Sequence, residues 1–273
     1  MLRNRPLRML ALGLAALLIP SVARAYVLVG VGFESGTTLV RIDPLTGQYT
    51  ATSNLGSFYN SLAQNSQGEF YGGRSSVTAE NGRVSRFDPA TGAVLQTFNA
   101  ITPGAGSSRG LSFDAEDNLF AVVNRNDSSG SPTLDDDLYR FDLASQTTTR
   151  IGSLGFGAVQ GFDISPNDTF YAWDIIEGLL TVDPVTGNAT DVNPSIGGTG
   201  DIQSIVFAPD GRLFGARQNL YRIDPTTGEF TQIGVGLGFD IRGIEFLVPE
   251  PSSGAILLSL LAITILHPVR KLR

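Results

Sequence analysis

Short runs in which apolar and polar residues alternate recur along the chain, and each runs into a turn of nearly constant composition. Leu39-Val40-Arg41-Ile42 leads into Asp43-Pro44-Leu45-Thr46-Gly47, and Val84-Ser85-Arg86-Phe87 into Asp88-Pro89-Ala90-Thr91-Gly92. Leu180-Thr181-Val182 precedes Asp183-Pro184-Val185-Thr186-Gly187, and Leu220-Tyr221-Arg222-Ile223 precedes Asp224-Pro225-Thr226-Thr227-Gly228. Leu138-Tyr139-Arg140-Phe141-Asp142 keeps the strand and the aspartate without the rest. A period of two predicts a strand, proline presets φ for the turn, and glycine supplies a left-handed position before the return strand. Each copy therefore predicts a β-hairpin, and Asp43, Asp88, Asp183 and Asp224 are turn formers rather than catalytic groups.

A second half precedes each hairpin. It reads Gly110-Leu111-Ser112-Phe113 to Leu119-Phe120-Ala121, Gly161-Phe162-Asp163-Ile164 to Phe170-Tyr171-Ala172, and Ser204-Ile205-Val206-Phe207 to Leu213-Phe214-Gly215, with a fainter copy from Ser61 to Gly73. Two halves make four antiparallel strands, the blade of a β-propeller. The repeat aspartates lie about 45, 54, 41 and 41 residues apart, and Asp224 to Val248 plus Tyr26 to Asp43 is again about 42. The ring closes at five. Arg242-Gly243-Ile244-Glu245-Phe246 has the form of a first strand and Tyr26-Val27-Leu28-Val29-Gly30 that of a second, so both ends of the domain build one blade and no strand edge is left open there. The repeat domain, residues 26–248, resembles the five-bladed propellers of secreted proteins, which implies an all-β fold and says almost nothing about chemistry.

Both termini carry addresses. Arg3, Arg5 and Arg8, an apolar core from Met9 to Ile19, and Ala23-Arg24-Ala25 have the order of a signal peptide spanning residues 1–25. At the other end Pro249-Glu250-Pro251 precedes the apolar run Gly254 to Leu266 and then Arg270, Lys271 and Arg273. Residues 249–273 resemble the sorting domain of PEP-CTERM proteins, with His267-Pro268 as a departure before a sparse basic cluster. The resemblance implies an exosortase-type partner, transient anchoring in the inner membrane through the apolar segment, and a destination at the bacterial surface or among extracellular polymers.

Composition narrows the chemistry. Residues 26–248 hold 12 arginines, no lysine and 25 acidic residues, a formal charge of about −13 against −7 for the whole chain. Such a surface disfavours nucleic acid and anionic headgroups. The chain has no cysteine, and its one histidine, His267, lies in the tail. The domain thus lacks the residues for a Ser-His-Asp triad, a thiol nucleophile or a histidine-based metal site.

Aligning the five inner strands places Asn60, Arg109, Gln160, Gln203 and Arg242 at one level, each just before Ser61, Gly110, Gly161, Ser204 or Gly243. They predict a polar ring at one channel mouth, near Arg74, Asn124, Asp174 and Arg217. Amides and guanidinium groups suit carboxylates and sugar hydroxyls. An acidic glycan held by Arg109 and Arg242, with Tyr59, Tyr71 and Trp173 as stacking faces, is the expected ligand. The insertion from Asn124 to Asp137, ending Asp135-Asp136-Asp137, offers oxygen ligands for calcium without a regular loop spacing, and reads chiefly as a solvated segment. The expected function is a non-catalytic exported binding or scaffold module for polysaccharide or protein. The alternative is a glycosidase using carboxylates across the channel, for which Asp163, Asp174 and Glu245 are available. Asp163 and Glu245 share one strand phase, but Ala63, Ser112 and Val206 are their equivalents, so the repeats predict no designed cluster.

Overall fold

A computed structural model describes residues 26–32, 37–74, 82–101, 108–124 and 134–248. The expected signal peptide, the sorting motif Pro249-Glu250-Pro251 and the apolar tail lie outside these residues. Among the described residues no helix is long and apolar enough to cross a membrane.

Among the described residues twenty strands form five four-stranded antiparallel blades. The first blade contains β1 (Val27–Gly32), β2 (Thr38–Ile42) and β3 (Tyr49–Asn54), and the second β4 (Tyr59–Gln64), β5 (Phe70–Arg74), β6 (Arg83–Phe87) and β7 (Val94–Ala100). The third contains β8 (Ser108–Phe113), β9 (Leu119–Val123), β10 (Asp137–Asp142) and β11 (Thr147–Ser153). The fourth contains β12 (Val159–Ile164), β13 (Phe170–Asp174), β14 (Gly178–Val182) and β15 (Ala189–Asp191). The fifth contains β16 (Ser204–Phe207), β17 (Leu213–Ala216), β18 (Leu220–Ile223) and β19 (Phe230–Ile233). The last strand, β20 (Ile241–Leu247), pairs with β1 in the register Leu28 to Phe246 and Gly30 to Ile244, completing the first blade from both ends. The inner strands β4, β8, β12, β16 and β20 touch in that order, and β20 meets β4 to shut the ring.

The core lies between blades. Val29, Val31 and Leu39 of the first blade pack with Tyr59, Leu62, Phe70 and Phe87 of the second. The next four interfaces repeat this with their own apolar sets. Each sheet is therefore covered on both faces, which is why β9 is buried at every position.

The hairpin turns behave as their composition predicts. Asp43 Oδ1 accepts from Leu45 N at 2.8 Å and Oδ2 from Thr46 Oγ1 at 2.9 Å, ahead of Gly47 at φ 69°. In the third blade Asp142 Oδ1 accepts from Ala144 N, and Gln146 takes the left-handed position at φ 56°. These turns also reach the preceding blade: a Cβ on Gly187 would stand 2.9 Å from the Cα of Gly152.

Candidate functional site

The N-terminal mouth of the channel is built from a repeated bulge. Tyr59 pairs with Arg74 and Ser61 with Gly73, so Asn60 is an extra residue in the ladder. Arg109, Gln160 and Arg242 sit at the same irregularity in β8, β12 and β20. Gln203 lies one residue before β16, with its N–H on Ala216 O at 3.0 Å. A bulge turns a side chain out of the ladder, and four of the five residues of this level sit at one. The residue that follows must be small because the inner strands converge there. A Cβ on Gly161 would lie 2.9 Å from Ile205 N, and one on Gly243 2.9 Å from Ser61 Cα. Ser204 fits by using its hydroxyl, which accepts from Ile244 N at 2.9 Å.

The ring divides into a braced half and an open half. Arg242 donates through Nε to Asp240 Oδ2 at 2.8 Å and through Nη1 to Gln203 Oε1. Asp240 also accepts from Arg217 Nε at 3.1 Å, and Arg217 Nη1 reaches Gly200 O at 2.8 Å. By contrast no hydrogen bond joins the side chains of Asn60, Arg109 or Gln160 to any described residue, and Arg109 Nε is sealed from water without a partner. Burial lowers the pKa of the Arg109 guanidinium, the charge of Arg242 lowers it further, and Asp136 opposes both.

Several expected contributors have other work. Tyr59, Tyr71 and Trp173 are at most 3% exposed and pack between blades, so they offer no stacking face. Arg74 Nε donates to Ser85 Oγ at 3.0 Å. Asp174 accepts from Ile176 N at 2.8 Å and Ala158 N at 3.2 Å, which caps a turn. Asp136 and Asp137 are buried rather than solvated. Asp136 accepts from Asn124 Nδ2 at 2.8 Å and Val159 N at 2.9 Å, and Asp137 is gripped by both arms of Arg150. Among the described residues no three acidic side chains converge as metal ligands.

Deeper in the channel lies a pair whose coupling the repeats did not predict. Asp163 Oδ1 accepts from Ser112 Oγ at 2.6 Å and Oδ2 from Phe207 N at 2.5 Å, while Glu245 Oε1 accepts from Phe246 N at 2.7 Å. Burial pushes Asp163 up to about 7 and Glu245 well above the usual carboxylate range, the latter raised further by the Asp163 charge. Glu245 forms part of the wall of a hollow of about 340 Å³ at the C-terminal mouth, beside Phe113, Ile164 and Phe207. Sharing one strand phase was the available signal. The unlike residues at the equivalent positions concealed it.

Five blades, a ring of inner strands and a terminal closure define a five-bladed β-propeller. The same fold occurs in a gluconolactonase from Xanthomonas campestris important in glucose secondary metabolic pathways. It matches at a TM-score of 0.50 with 15% identity, over 81% of this chain and 79% of that one. It occurs too in a symmetrical protein whose de novo evolutionary emergence is shaped by folding constraints, at a TM-score of 0.54 and 18% identity, over 82% of this chain and 99% of that one. At such identities the likeness is one of fold. No protein family and no curated protein matches the sequence.

Proposed function

We propose that the chain is an exported, non-catalytic propeller that recognises polysaccharide at the cell surface or in the extracellular matrix, through the N-terminal channel mouth. The observation that carries this reading is the open half of the ring, where three successive blades present Asn60, Arg109 and Gln160 without side-chain partners among the described residues while neighbouring polar groups are bonded. The resemblance of residues 249–273 to a PEP-CTERM sorting tail supports the address, with exosortase-type machinery as the processing partner. All five blades and the β20 to β1 closure fall within residues 26–248, so that domain is the object to test. A glycan array with reducing-end release monitored for every bound polymer should show binding without release. Failure to bind any polymer overturns the reading.

A second reading rests on Asp163 and Glu245 and on the gluconolactonase neighbour: a secreted hydrolase in which one carboxyl group donates a proton and the other acts as base. Release of product by the wild type, lost in Asp163→Asn and in Glu245→Gln, would favour it over recognition alone.

A further inference from the structure

We infer that the open half of the ring is a subsite for a single carboxylate, with Arg109 taking the acid group of one uronate residue and Asn60 and Gln160 donating to its neighbouring oxygens; this rests on the polysaccharide reading above. The ring order β4, β8, β12 places Arg109 between the two amides. With its Nε sealed, the part of the guanidinium left to a ligand is its Nη edge, a planar fork that matches the two oxygens of a carboxylate.

The lack of a contacting counter-ion among the described residues is the informative point. Residues 26–248 hold 25 acidic side chains, and several other arginines pair with one, as Arg150 does with Asp137 and Arg217 with Asp240. Among the described residues Arg109 makes no ion pair, and it lies close enough to Arg242 for the two charges to oppose one another, with the Asp136 charge as a partial offset. An unpaired buried cation destabilises a fold, and an incoming anion would relieve both burdens. Arg242 is a positioning residue in this scheme, since Asp240 and Gln203 hold it.

The same charge balance limits the ligand. A domain with a formal charge of about −13 repels a dense polyanion. The subsite therefore suits an isolated uronate on an otherwise neutral chain or at its end.

The test compares an oligosaccharide bearing one glucuronate with the same oligosaccharide after its carboxyl is reduced to the alcohol, by calorimetric titration of the 26–248 domain. The acid form should bind about 10- to 100-fold more tightly, the range expected for a charge-assisted hydrogen-bonded pair. Arg109→Met should erase that preference and raise the thermal midpoint by roughly 2 °C or more, because a buried unpaired charge has gone. Gln160→Ala should weaken both ligands alike by a few-fold. Equal binding of the acid and its reduced form overturns the carboxylate subsite and leaves polysaccharide recognition standing, whereas no binding of either, or of any arrayed glycan, overturns both. A lower midpoint for Arg109→Met makes Arg109 a structural residue and overturns the subsite without reference to any ligand.

Discussion

Raising the pH from 5 to 8 should soften the propeller from its channel outward. In the folded chain burial holds Asp163 at about 7, against 3.8 in the unfolded chain. Between those values the folded state keeps a proton that the unfolded state releases, so stability falls as pH rises and levels off above about 7. The full shift of about 3 units corresponds to about 4 kcal/mol, of which the span from pH 5 to 7 carries on the order of 3 kcal/mol. Glu245 moves in the same direction. The turn carboxylates do not counter this, because Asp43, Asp88, Asp183 and Asp224 are shifted down and their contribution is complete before pH 5. For a domain of this size about 3 kcal/mol becomes a drop of roughly 6–12 °C in the thermal midpoint.

Trp173, the one tryptophan in the chain, is buried edge-on against Phe230 and reports the melt by fluorescence. The general acidity of the domain adds its own slope with pH, and Asp163→Asn with Glu245→Gln separates the two. An asparagine can keep the Phe207 N–H on Oδ1 and turn Nδ2 toward Ser112 Oγ. The double variant should lose most of the pH 5 to 8 decline. A wild-type midpoint that holds or rises over that interval, or a double variant with an undiminished decline, refutes the reasoning.

Glycine at the hairpin turns should matter twice over in one place and once in another. Gly187→Ala meets both φ 81° and the Gly152 backbone and should cost about 2–3 kcal/mol, while Gly211→Ala at φ 84° opens onto empty space and should cost about 1 kcal/mol. Thermal melts of the two variants give the difference. Expression of the whole chain in an exporting bacterium should yield a mature N-terminus at Tyr26 by mass spectrometry; an N-terminus retaining Arg3 to Ile19 would refute the signal-peptide reading. Replacing Pro249-Glu250-Pro251 with alanines should leave the product in the membrane fraction if the tail is a sorting signal, and an unchanged distribution would refute that.

The architecture was legible because each hairpin carries its own turn code, and a local code survives without knowledge of its neighbours. Even the third copy, without proline or glycine, folds alike because Gln146 accepts the left-handed conformation. The level of the ring was legible for a related reason: the small residue after each bulge marks where the inner strands converge. Its division was not. Asp240 lies two residues before Arg242, where the other blades have Phe58, Ser107, Ala158 and Asp201, so the repeats marked no common acid there and did not show that Asp240 would claim Arg242 and Arg217. The burial of Tyr59, Tyr71 and Trp173 was equally hidden, since a strand packed on both faces has no exposed phase for a pattern to reveal.

The unpaired inner edge is the physical reason for proposing recognition at the mouth and not in the channel. Each inner strand turns one side toward the axis, where no fifth strand satisfies its amides, and buried N–H groups require acceptors. Ser112 serves Ile164 N, Ser204 serves Ile244 N, Asp163 serves Phe207 N, and Glu245 serves Phe246 N. The two acids thus do what the two hydroxyls do elsewhere in the ring, and each has an oxygen engaged before any substrate arrives. At the mouth four bulges, and the residue just before β16, set five side chains apart from this duty. Two of the five are braced against Asp240 or each other, and three are not. Groups held in place by a closed scaffold yet left without partners are what a weak, selective ligand contact requires, and in the described residues Asn60, Arg109 and Gln160 meet that condition together.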